Sequence, residues 1–349
     1  MKIVVNDIAA STGGAMTVLR DFYAYICEND RENEWIFLLS DRFFQETDNV
    51  KIKTLPEIKQ SRLKKLVFDF ITGRKYINAL APDVVFSLQN CITFGVKAPQ
   101  IVYIHQSIPF QTQKKFSFLK SSERSLSVIQ HLIGSVIKLS AKKADRVIVQ
   151  TQWMRKSVCQ ICRLKHEKVR VIQPAVKPVP TTAEKCSFSP LEFFYPTAQA
   201  IYKNNDCIRK ASEMLRRKGL EHRVTLTLPA DQTEGSVVCA GRLSYEEVLA
   251  RYCQGTLIFP SYIETFGYPL AEARMAGTVV LASDTPFSRE VLAGYENAYF
   301  FDPFKPEELA GLMERVINGD IQIKETDPAH GAENESWKQV METVLHCRK

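Results

Sequence analysis

The sequence predicts an α/β protein of two doubly wound, Rossmann-like domains that face a cleft. Short apolar runs alternate with longer amphipathic ones, the alternation stops once and restarts, and 349 residues suit two ordinary domains. Strands that alternate with helices form a parallel sheet covered on both faces. Such sheets bind ligands at the carboxyl ends of their strands.

The first half contains six short runs of β-branched and aromatic residues, which we predict to be strands. They are Lys2–Asn6, Trp35–Leu39, Val84–Leu88, Ile101–His105, Arg146–Gln150 and Val169–Gln173. Segments with helical periodicity lie between them. These are Ala15–Cys27, Lys64–Leu80, Glu123–Lys143 and Gln152–Cys159. Residues 1–175 are therefore predicted to form the first domain.

Residues 176–190 are predicted to be a linker, because proline, threonine and serine interrupt the pattern there. The pattern restarts in the second domain, residues 191–332, with six strands. They are Leu191–Tyr195, Arg223–Leu228, Ser236–Cys239, Thr256–Phe259, Thr278–Leu281 and Ala298–Phe301. The predicted helices are Asn204–Lys218, Tyr245–Cys253, Gly267–Ala276, Phe287–Ala293, Pro306–Asn318 and, within residues 333–349, Ser336–His346.

The composition is that of a soluble globular protein, with 45% hydrophobic and 24% charged residues. No run of apolar residues is long enough for a transmembrane helix, and the N-terminus reads as a strand and not as a signal peptide. We therefore expect a cytoplasmic protein. The lone pair Cys159 and Cys162 is weak evidence for a metal or redox site, and two ordinary helix-side thiols are the favoured interpretation.

Positive charge is concentrated in the first half. Residues 1–180 hold 28 Lys and Arg against 15 Asp and Glu, while the remainder holds 18 against 24. This asymmetry indicates either an anionic partner, with residues 59–65 and 114–124 as candidates, or a solvated basic face. Nucleic acid is the less favoured partner, because no nucleic-acid-binding motif is present.

One segment, Ile258–Leu281, combines a buried strand, a polar turn, a helix and a second buried strand. The turn Glu264–Gly267 opens the helix, so backbone N–H groups and the positive end of the helix dipole point out of it. A phosphate is a natural ligand there, and Glu264 and Glu272 add acceptors for hydroxyls. The alternative is that both glutamates only complement the dipole and the solvent. The pattern favours a sugar nucleotide, whose diphosphate lies between two polyhydroxyl rings.

Other candidate residues lie at predicted strand ends. Gly13 and Gly14 let the backbone approach a phosphate or sugar, although a plain tight turn is the alternative. His105 could hydrogen-bond to substrate or shuttle a proton, or be a satisfied structural histidine. Lys203 lies at the start of a predicted helix, where a cation is disfavoured by the helix dipole. It is therefore either a phosphate ligand or a solvated side chain.

The segment PSYIETFGYPLAEARMAGTVVLASDTPFSREVL, residues 260–292, resembles the motif P-S-x-x-E-x-F-G-x-P-x-x-E-A-x-x-x-G-x-x-V-x-x-S of the family-four retaining glycosyltransferases. These enzymes have the GT-B fold. Weaker matches cover nearly the whole chain, at TGG after the first strand, His105 and residues 144–156, 169–176, 241–261 and 301–310. The resemblance implies that residues 333–349 form a helix that returns to the first, acceptor-binding domain.

The resemblance also implies roles for the candidate residues. Glu264 would contact the transferred sugar and Glu272 the ribose, while Lys203 and the backbone near Gly267 would bind the diphosphate. Glu264, His105 and Lys203 would be catalytic, with His105 near the acceptor, and no metal or other cofactor is expected. The implied donor-binding residues are Gly13, Gly14, Lys203, Glu264, Thr265, Phe266, Gly267 and Glu272.

One departure from the family pattern concerns the donor diphosphate. The family places a G-R-L arginine shortly before the phosphate-binding lysine, but residues 195–203 contain no arginine. The G-R-L at residues 241–243 belongs to a different segment. One charge-assisted contact is therefore either missing or supplied elsewhere.

We therefore expect a retaining hexosyltransferase that uses a nucleoside-diphosphate sugar and a glycan acceptor. A basic first domain suits a lipid-linked acceptor at an anionic membrane, as in O-antigen or capsule synthesis, with peripheral contact at the inner face of the plasma membrane. Two alternatives remain: a GT-B-fold epimerase or phosphorylase, and a non-catalytic nucleotide-sugar-binding subunit.

Overall fold

The computed structural model describes residues 1–10, 13–176, 188–324 and 335–347. The chain forms two compact units, Met1–Pro174 with Glu335–Lys349, and Ala175–Asn334. Most of the predicted linker, residues 177–187, lies outside the described residues. The predicted boundary between residues 332 and 333 lies outside them as well.

The first unit is built on a seven-stranded parallel sheet with the strand order β3-β2-β1-β4-β5-β6-β7. The strands are β1 (Lys2–Asn6), β2 (Glu34–Leu39), β3 (Val50–Thr54), β4 (Val84–Ser87), β5 (Gln100–Tyr103), β6 (Arg146–Val149) and β7 (Val169–Val171). The central strands are almost entirely buried, as expected of a parallel sheet that helices cover on both faces. The edge strand β3 is missing from the prediction, because its sequence VKIKT has only two apolar side chains to bury.

The helices of the first unit are α1 (Gly13–Asn29), α2 (Pro56–Lys59), α3 (Arg62–Val67), α4 (Gly73–Ala79), α5 (Arg124–Val128), α6 (Gly134–Lys143) and α7 (Gln152–Cys162). A π-helical turn, Phe68–Thr72, connects α3 to α4, and a second one, Ile129–Ile133, connects α5 to α6. The predicted helices 64–80 and 123–143 therefore exist, each with a wide turn that helical periodicity alone does not indicate.

The second unit contains a six-stranded parallel sheet with the order β10-β9-β8-β11-β12-β13. Its strands are β8 (Glu192–Tyr195), β9 (Arg223–Leu226), β10 (Val237–Cys239), β11 (Thr256–Phe259), β12 (Val280–Ser283) and β13 (Ala298–Phe301). Its helices are α8 (Asn205–Arg217), α9 (Tyr245–Gln254), α10 (Tyr268–Met275), α11 (Pro286–Val291) and α12 (Pro306–Ile317). At the start of α9, Ser244 and Glu247 form a capping box, which fixes where this helix begins.

The last helix, α13 (Ser336–Leu345), packs against the first unit. Its residues Val340 and Val344 are buried in the same core as Phe22 of α1, and the Trp337 ring lies 5.2 Å from the Phe22 ring. The predicted fold class, two parallel α/β domains with a C-terminal helix returning to the first, is confirmed. None of the helices within the described residues is both long and apolar enough to span a bilayer.

Candidate active site

Both sheets reverse their strand order at one place, and that place locates the candidate site in each unit. The reversal lies between β1 and β4 in the first sheet and between β8 and β11 in the second. Beyond the carboxyl ends of such strands the connecting loops run in opposite directions and leave a crevice. The loops that follow β8 and β11 carry Lys203 and Glu264.

An ion pair joins these two loops across the switch point of the second unit. Lys203 Nζ lies 2.6 Å from Glu264 Oε1, although the residues are 61 positions apart in sequence. The side chains are about one-fifth exposed. Burial works to lower the pKa of Lys203, but the charge and hydrogen bond of Glu264, together with Tyr195 and Tyr202, outweigh it and raise that pKa above its usual value. The lysine therefore stays a cation, and its partner remains accessible from solvent.

Hydrogen bonds hold the two loops in register. Ser261 Oγ lies 2.8 Å from Glu264 Oε1 and 3.2 Å from the Tyr202 carbonyl oxygen, so its single hydroxyl proton is shared between the two acceptors, with the carboxylate the nearer. Asn204, in the left-handed conformation at φ 58°, donates to the carbonyls of Pro260 and Pro303. Asn204 is the N-cap residue of α8, yet its side chain makes no capping bond and serves to join three loops.

Helix α10 begins at Tyr268, four residues after Glu264. Gly267, its N-cap residue, has φ 88° and ψ 66°, a conformation that favours glycine. The preceding Phe266 ring is buried and lies 5.5 Å from the Tyr268 ring, which fixes the turn. Thr265 and Phe266 thus lie between an anchored carboxylate and the positive end of α10, where an anion is stabilised.

Glu272 lies inside α10 and is held by two tyrosines. The Tyr252 hydroxyl donates to Glu272 Oε2 at 3.0 Å, and Tyr245 also hydrogen-bonds to this carboxylate. Burial raises the pKa of Glu272, while both hydrogen bonds act to lower it. Glu272 is therefore a positioned acceptor and not a freely solvated glutamate.

Three predicted site residues lie in the first unit. Gly13 and Gly14 begin α1, and a Cβ added to Gly14 would meet no atom within 4 Å. Ser11 and Thr12, which precede them, lie outside the described residues. His105 lies two residues beyond the end of β5 and not in the strand as predicted, because Asn90 Oδ1 accepts its backbone N–H at 2.6 Å.

Several buried polar atoms at the carboxyl ends of β1, β4 and β5 have no hydrogen-bond partner among the described residues. They are Asn6 Oδ1, Asp7 Oδ2, both side-chain amide atoms of Gln89, and His105 Nε2. These three strands are neighbours in the sheet. Buried polar groups are nearly always paired, so such a concentration indicates a place where a polar ligand completes the bonding.

Burial shifts the pKa of two of these groups in opposite directions. It raises the pKa of Asp7 to about 7, against the opposing effects of the Ala10 N–H and of Lys65 and Lys59. It lowers the pKa of His105 to about 4, so the imidazole is neutral near pH 7. The lysine Lys59 reaches the same loop, where its Nζ donates to the Ala10 carbonyl at 3.0 Å.

Sequence reasoning missed Asp7, Gln89 and the two tyrosines that hold Glu272. Asp7 directly follows β1 and Gln89 closely follows β4, so their position at strand ends was an available signal. Tyr245 and Tyr252 offered no comparable signal, because their distance from Glu272 is set only by how α9 packs near α10.

Comparisons with known proteins identify the family and the fold. The family described as Glycosyltransferase Family 4 matches residues 12–179, and the family described as Glycosyl transferases group 1 matches residues 219–334. The chain belongs to the family-four glycosyltransferases. Together the two matches contain every predicted site residue except Lys203, which lies between them.

Solved structures similar to this glycosyltransferase share its fold. WaaG, a glycosyltransferase involved in lipopolysaccharide biosynthesis, has a TM-score of 0.67 at 12% identity, covering 99% of this chain and 100% of WaaG. Anabaena HepE in complex with UDP and glucose has a TM-score of 0.65 at 16% identity, covering 99% of this chain and 100% of HepE. Both likenesses support the GT-B fold.

Among curated proteins, the Escherichia coli serotype-specific mannosyltransferase WbdA is 22% identical over 280 residues. The alignment covers 70% of this glycosyltransferase and 34% of WbdA. The chain therefore spans about a third of the length of the curated relatives that it matches.

Proposed function

We propose that this glycosyltransferase moves a hexose from a nucleoside-diphosphate sugar to a hydroxyl of a glycan acceptor, with retention of the anomeric configuration. The observation that carries the proposal is the Lys203–Glu264 ion pair beside the start of α10, at the switch point of the second sheet. This arrangement offers a cation and a helix N-terminus to a diphosphate, and a carboxylate to a sugar.

The donor is proposed to lie along the second unit. Lys203 and the amides near Gly267 bind the diphosphate, Glu264 binds the transferred sugar, and Glu272 accepts hydrogen bonds from the ribose. HepE structures in complex with UDP-glucose and with UDP support a nucleotide-sugar donor.

The proposed reaction breaks the bond between the anomeric carbon and the diphosphate and forms a bond to the acceptor oxygen. Negative charge grows on the leaving diphosphate, where Lys203 and the α10 amides stabilise it without a bound metal or other cofactor. The acceptor hydroxyl attacks from the face that the diphosphate leaves, and its proton passes to a leaving-group oxygen. Glu264 orients the sugar and takes no proton in this scheme.

The acceptor is proposed to be held by the first unit. Gln89 and His105 offer buried atoms that have no hydrogen-bond partner among the described residues, a chemistry that suits sugar hydroxyls. We propose a lipid-linked glycan at the inner face of an anionic membrane, in the assembly of a bacterial surface polysaccharide such as O-antigen or capsule. The names of WbdA and WaaG and the basic first half support this assignment.

Donor binding is tested by the thermal unfolding of the full chain with UDP-, GDP- and dTDP-sugars, because a bound ligand raises apparent stability. We expect one nucleotide class to raise the unfolding temperature and the protein to hydrolyse that donor slowly. NMR of the glycoside formed from that donor then gives its anomeric configuration. An inverted product would overturn retention alone, while no stabilisation by any nucleotide sugar would overturn the proposed function.

The same assays address the two alternatives. A non-catalytic binding subunit would be stabilised by the donor without hydrolysing it. A phosphorylase would release a sugar phosphate only when a glycan and inorganic phosphate are added, and an epimerase would convert the donor into its epimer. A transferase without an acceptor would slowly form free sugar and nucleoside diphosphate as its only products. That result distinguishes it from the binding subunit, the phosphorylase and the epimerase.

A further inference from the structure

An apolar stripe lies exposed on the first unit. It consists of Leu63, Leu66, Val67, Phe70 and Ile71, which follow one another at helical spacing from α3 into the adjoining π-helical turn. Leu63 is 71% exposed and Ile71 is 57% exposed. A helix normally turns such a stripe toward the core, so its exposure requires an explanation.

Apart from Phe70, whose ring stacks on the Phe94 ring at 4.4 Å, the stripe takes no part in the packing of the core. Neither α2 nor α3 contains a buried residue. Burial begins only at Phe68 and continues along the inner side to Gly73 and Ile77. Packing within the first unit therefore does not account for the apolar side chains of Leu63 and Leu66 in α3.

A second set of exposed apolar residues, called the cluster here, lies in the same unit. It consists of Phe118, Leu119 and Leu132, of which Leu119 is 91% exposed. The loop after β4 contacts both helical segments, since its Phe94 N–H donates to the Asp69 carbonyl and its Ile92 N–H donates to Ser140 Oγ. That loop thus touches the two helical segments that carry the stripe and Leu132.

Charge around the stripe and the cluster is predominantly positive. The stripe is accompanied by Arg62, Lys64, Lys65, Arg74 and Lys75, and the cluster by Lys114, Lys115, Lys120 and Arg124. The acidic residues within residues 62–75 and 114–124 are Asp69 and Glu123, both buried and paired with lysines. Basic side chains next to a protruding apolar stripe are typical of a helix that lies in the interface of an anionic bilayer.

We propose that the stripe is an in-plane membrane anchor that inserts between anionic lipid headgroups. A second copy of the chain would bring two basic surfaces together, so charge favours the lipid over self-association. The inference rests on the proposed function only for the lipid character of the acceptor.

The test is co-sedimentation of the full chain with phosphatidylglycerol vesicles and, separately, phosphatidylcholine vesicles at low ionic strength. We expect binding to the anionic vesicles that weakens with added salt. The variant Leu66→Asp with Ile71→Asp should bind at least about tenfold more weakly. Arg62→Glu with Lys64→Glu should also bind more weakly and lose most of the salt dependence.

The matched control is Met214→Asp with Ile323→Asp, which places the same two charges at comparably exposed apolar positions in the second unit. Its binding should equal that of the unchanged protein. The proposal is overturned if the unchanged protein stays in the supernatant, or if the Leu66→Asp, Ile71→Asp variant sediments as well as the unchanged protein. If the unchanged protein is a dimer and this variant is a monomer, the stripe contacts a second copy of the chain, and the membrane-anchor proposal is overturned as well.

Donor hydrolysis without vesicles separates this inference from the proposed function. The stripe variants should hydrolyse donor at the unchanged rate, because these residues lie outside the proposed donor site. If the unchanged protein hydrolyses no donor, that result counts against the transferase function. Its binding to vesicles would still test the membrane-anchor proposal.

Discussion

At the scale of single residues, the sequence allows Lys203 and Glu264 to be ordinary solvated side chains. Their ion pair instead joins them into one candidate site. A lysine just before a helix is unfavourable for the helix dipole, and a carboxylate 2.6 Å away compensates for it. Ser261 fixes the same carboxylate oxygen, so Glu264 has little rotational freedom. A pair held in this way is preorganised for a ligand that carries both a phosphate and hydroxyls.

Replacing Glu264 tests this preorganisation. We expect Glu264→Ala to lower kcat by about 10²–10³-fold, because it removes the proposed sugar contact and releases Lys203. Circular dichroism should show an unchanged fold, and Glu221→Ala, at an exposed glutamate of the same unit, should leave turnover unchanged. Near-normal turnover of Glu264→Ala would remove Glu264 from the mechanism.

Asp7 predicts a pH dependence of stability. Burial raises the pKa of Asp7 from 3.8 to about 7, so the native state holds this proton more tightly than the unfolded state does. Stability contributed by the protonated form is present below pH 4 and is lost as the pH rises toward 7. Asp7→Asn should therefore gain stability over the unchanged protein across that window, by up to about 4 kcal/mol.

Urea unfolding at several pH values between 4 and 8 measures this gain. Asp231→Asn, at an exposed aspartate, should show a small difference from the unchanged protein that does not vary with pH. A difference for Asp7→Asn that is equally flat with pH would contradict the burial of an ionisable carboxyl at this position.

At the scale of elements, local sequence signals predicted where helices and strands begin. They did not predict irregularities within a helix, such as a π-helical turn. The capping box at Ser244 and the glycine at Gly267 set the starts of α9 and α10 as the sequence indicates. The π-helical turn before Gly73 was not predictable. A Cβ at Gly73 would come within 2.7 Å of Thr93, so a loop distant in sequence shapes this helix.

The Gly267 turn gives a prediction at this scale. Gly267→Ala should cost about 1 kcal/mol of stability, because its φ of 88° is strained for alanine and the new Cβ would lie 3.2 Å from Leu270 Cδ1. It should also raise the donor KM, since the backbone that starts α10 must shift. Gly294→Ala is the matched control, with φ 71° and open space around the Cβ.

Thermal unfolding and donor kinetics separate the two glycine variants. Both should lose similar stability, and only Gly267→Ala should bind donor more weakly. Equal donor KM values for the two variants would argue against a role of the α10 start in binding the diphosphate.

At the scale of the whole molecule, the chain builds the same strand order twice and then sends its last helix back to the first unit. The order 3-2-1-4-5-6 occurs in both sheets, with one added edge strand in the first. Each unit therefore has its own switch point, and the proposed donor and acceptor residues divide between the two. Helix α13 completes the core of the first unit although it follows the second in sequence.

Trp337 tests how the last helix contributes. Trp337→Ala should destabilise the first unit by about 2 kcal/mol, because a half-buried ring leaves its contact with Phe22. Lys338→Ala, on the exposed side of the same helix, should change stability little. In calorimetry, a bound nucleotide marks the transition of the second unit, and Trp337→Ala should leave that transition in place. If Trp337→Ala lowered the temperature of the nucleotide-marked transition, that result would contradict the placement of α13 in the core of the first unit.

The sequence by itself determined the two-domain parallel α/β fold and most helices and strands, and it predicted the candidate site around Glu264. Hydrophobic periodicity, glycines at turns and capping residues are local properties, so a linear pattern carries them. Tertiary structure decided the rest: the pairing of Lys203 with Glu264, the burial of Asp7, the tyrosines around Glu272, and the exposure of the stripe that begins at Leu63. The physical reason is that a spacing pattern defines a face of a helix or strand, whereas its burial and its partners depend on segments that fold onto it from elsewhere in the chain.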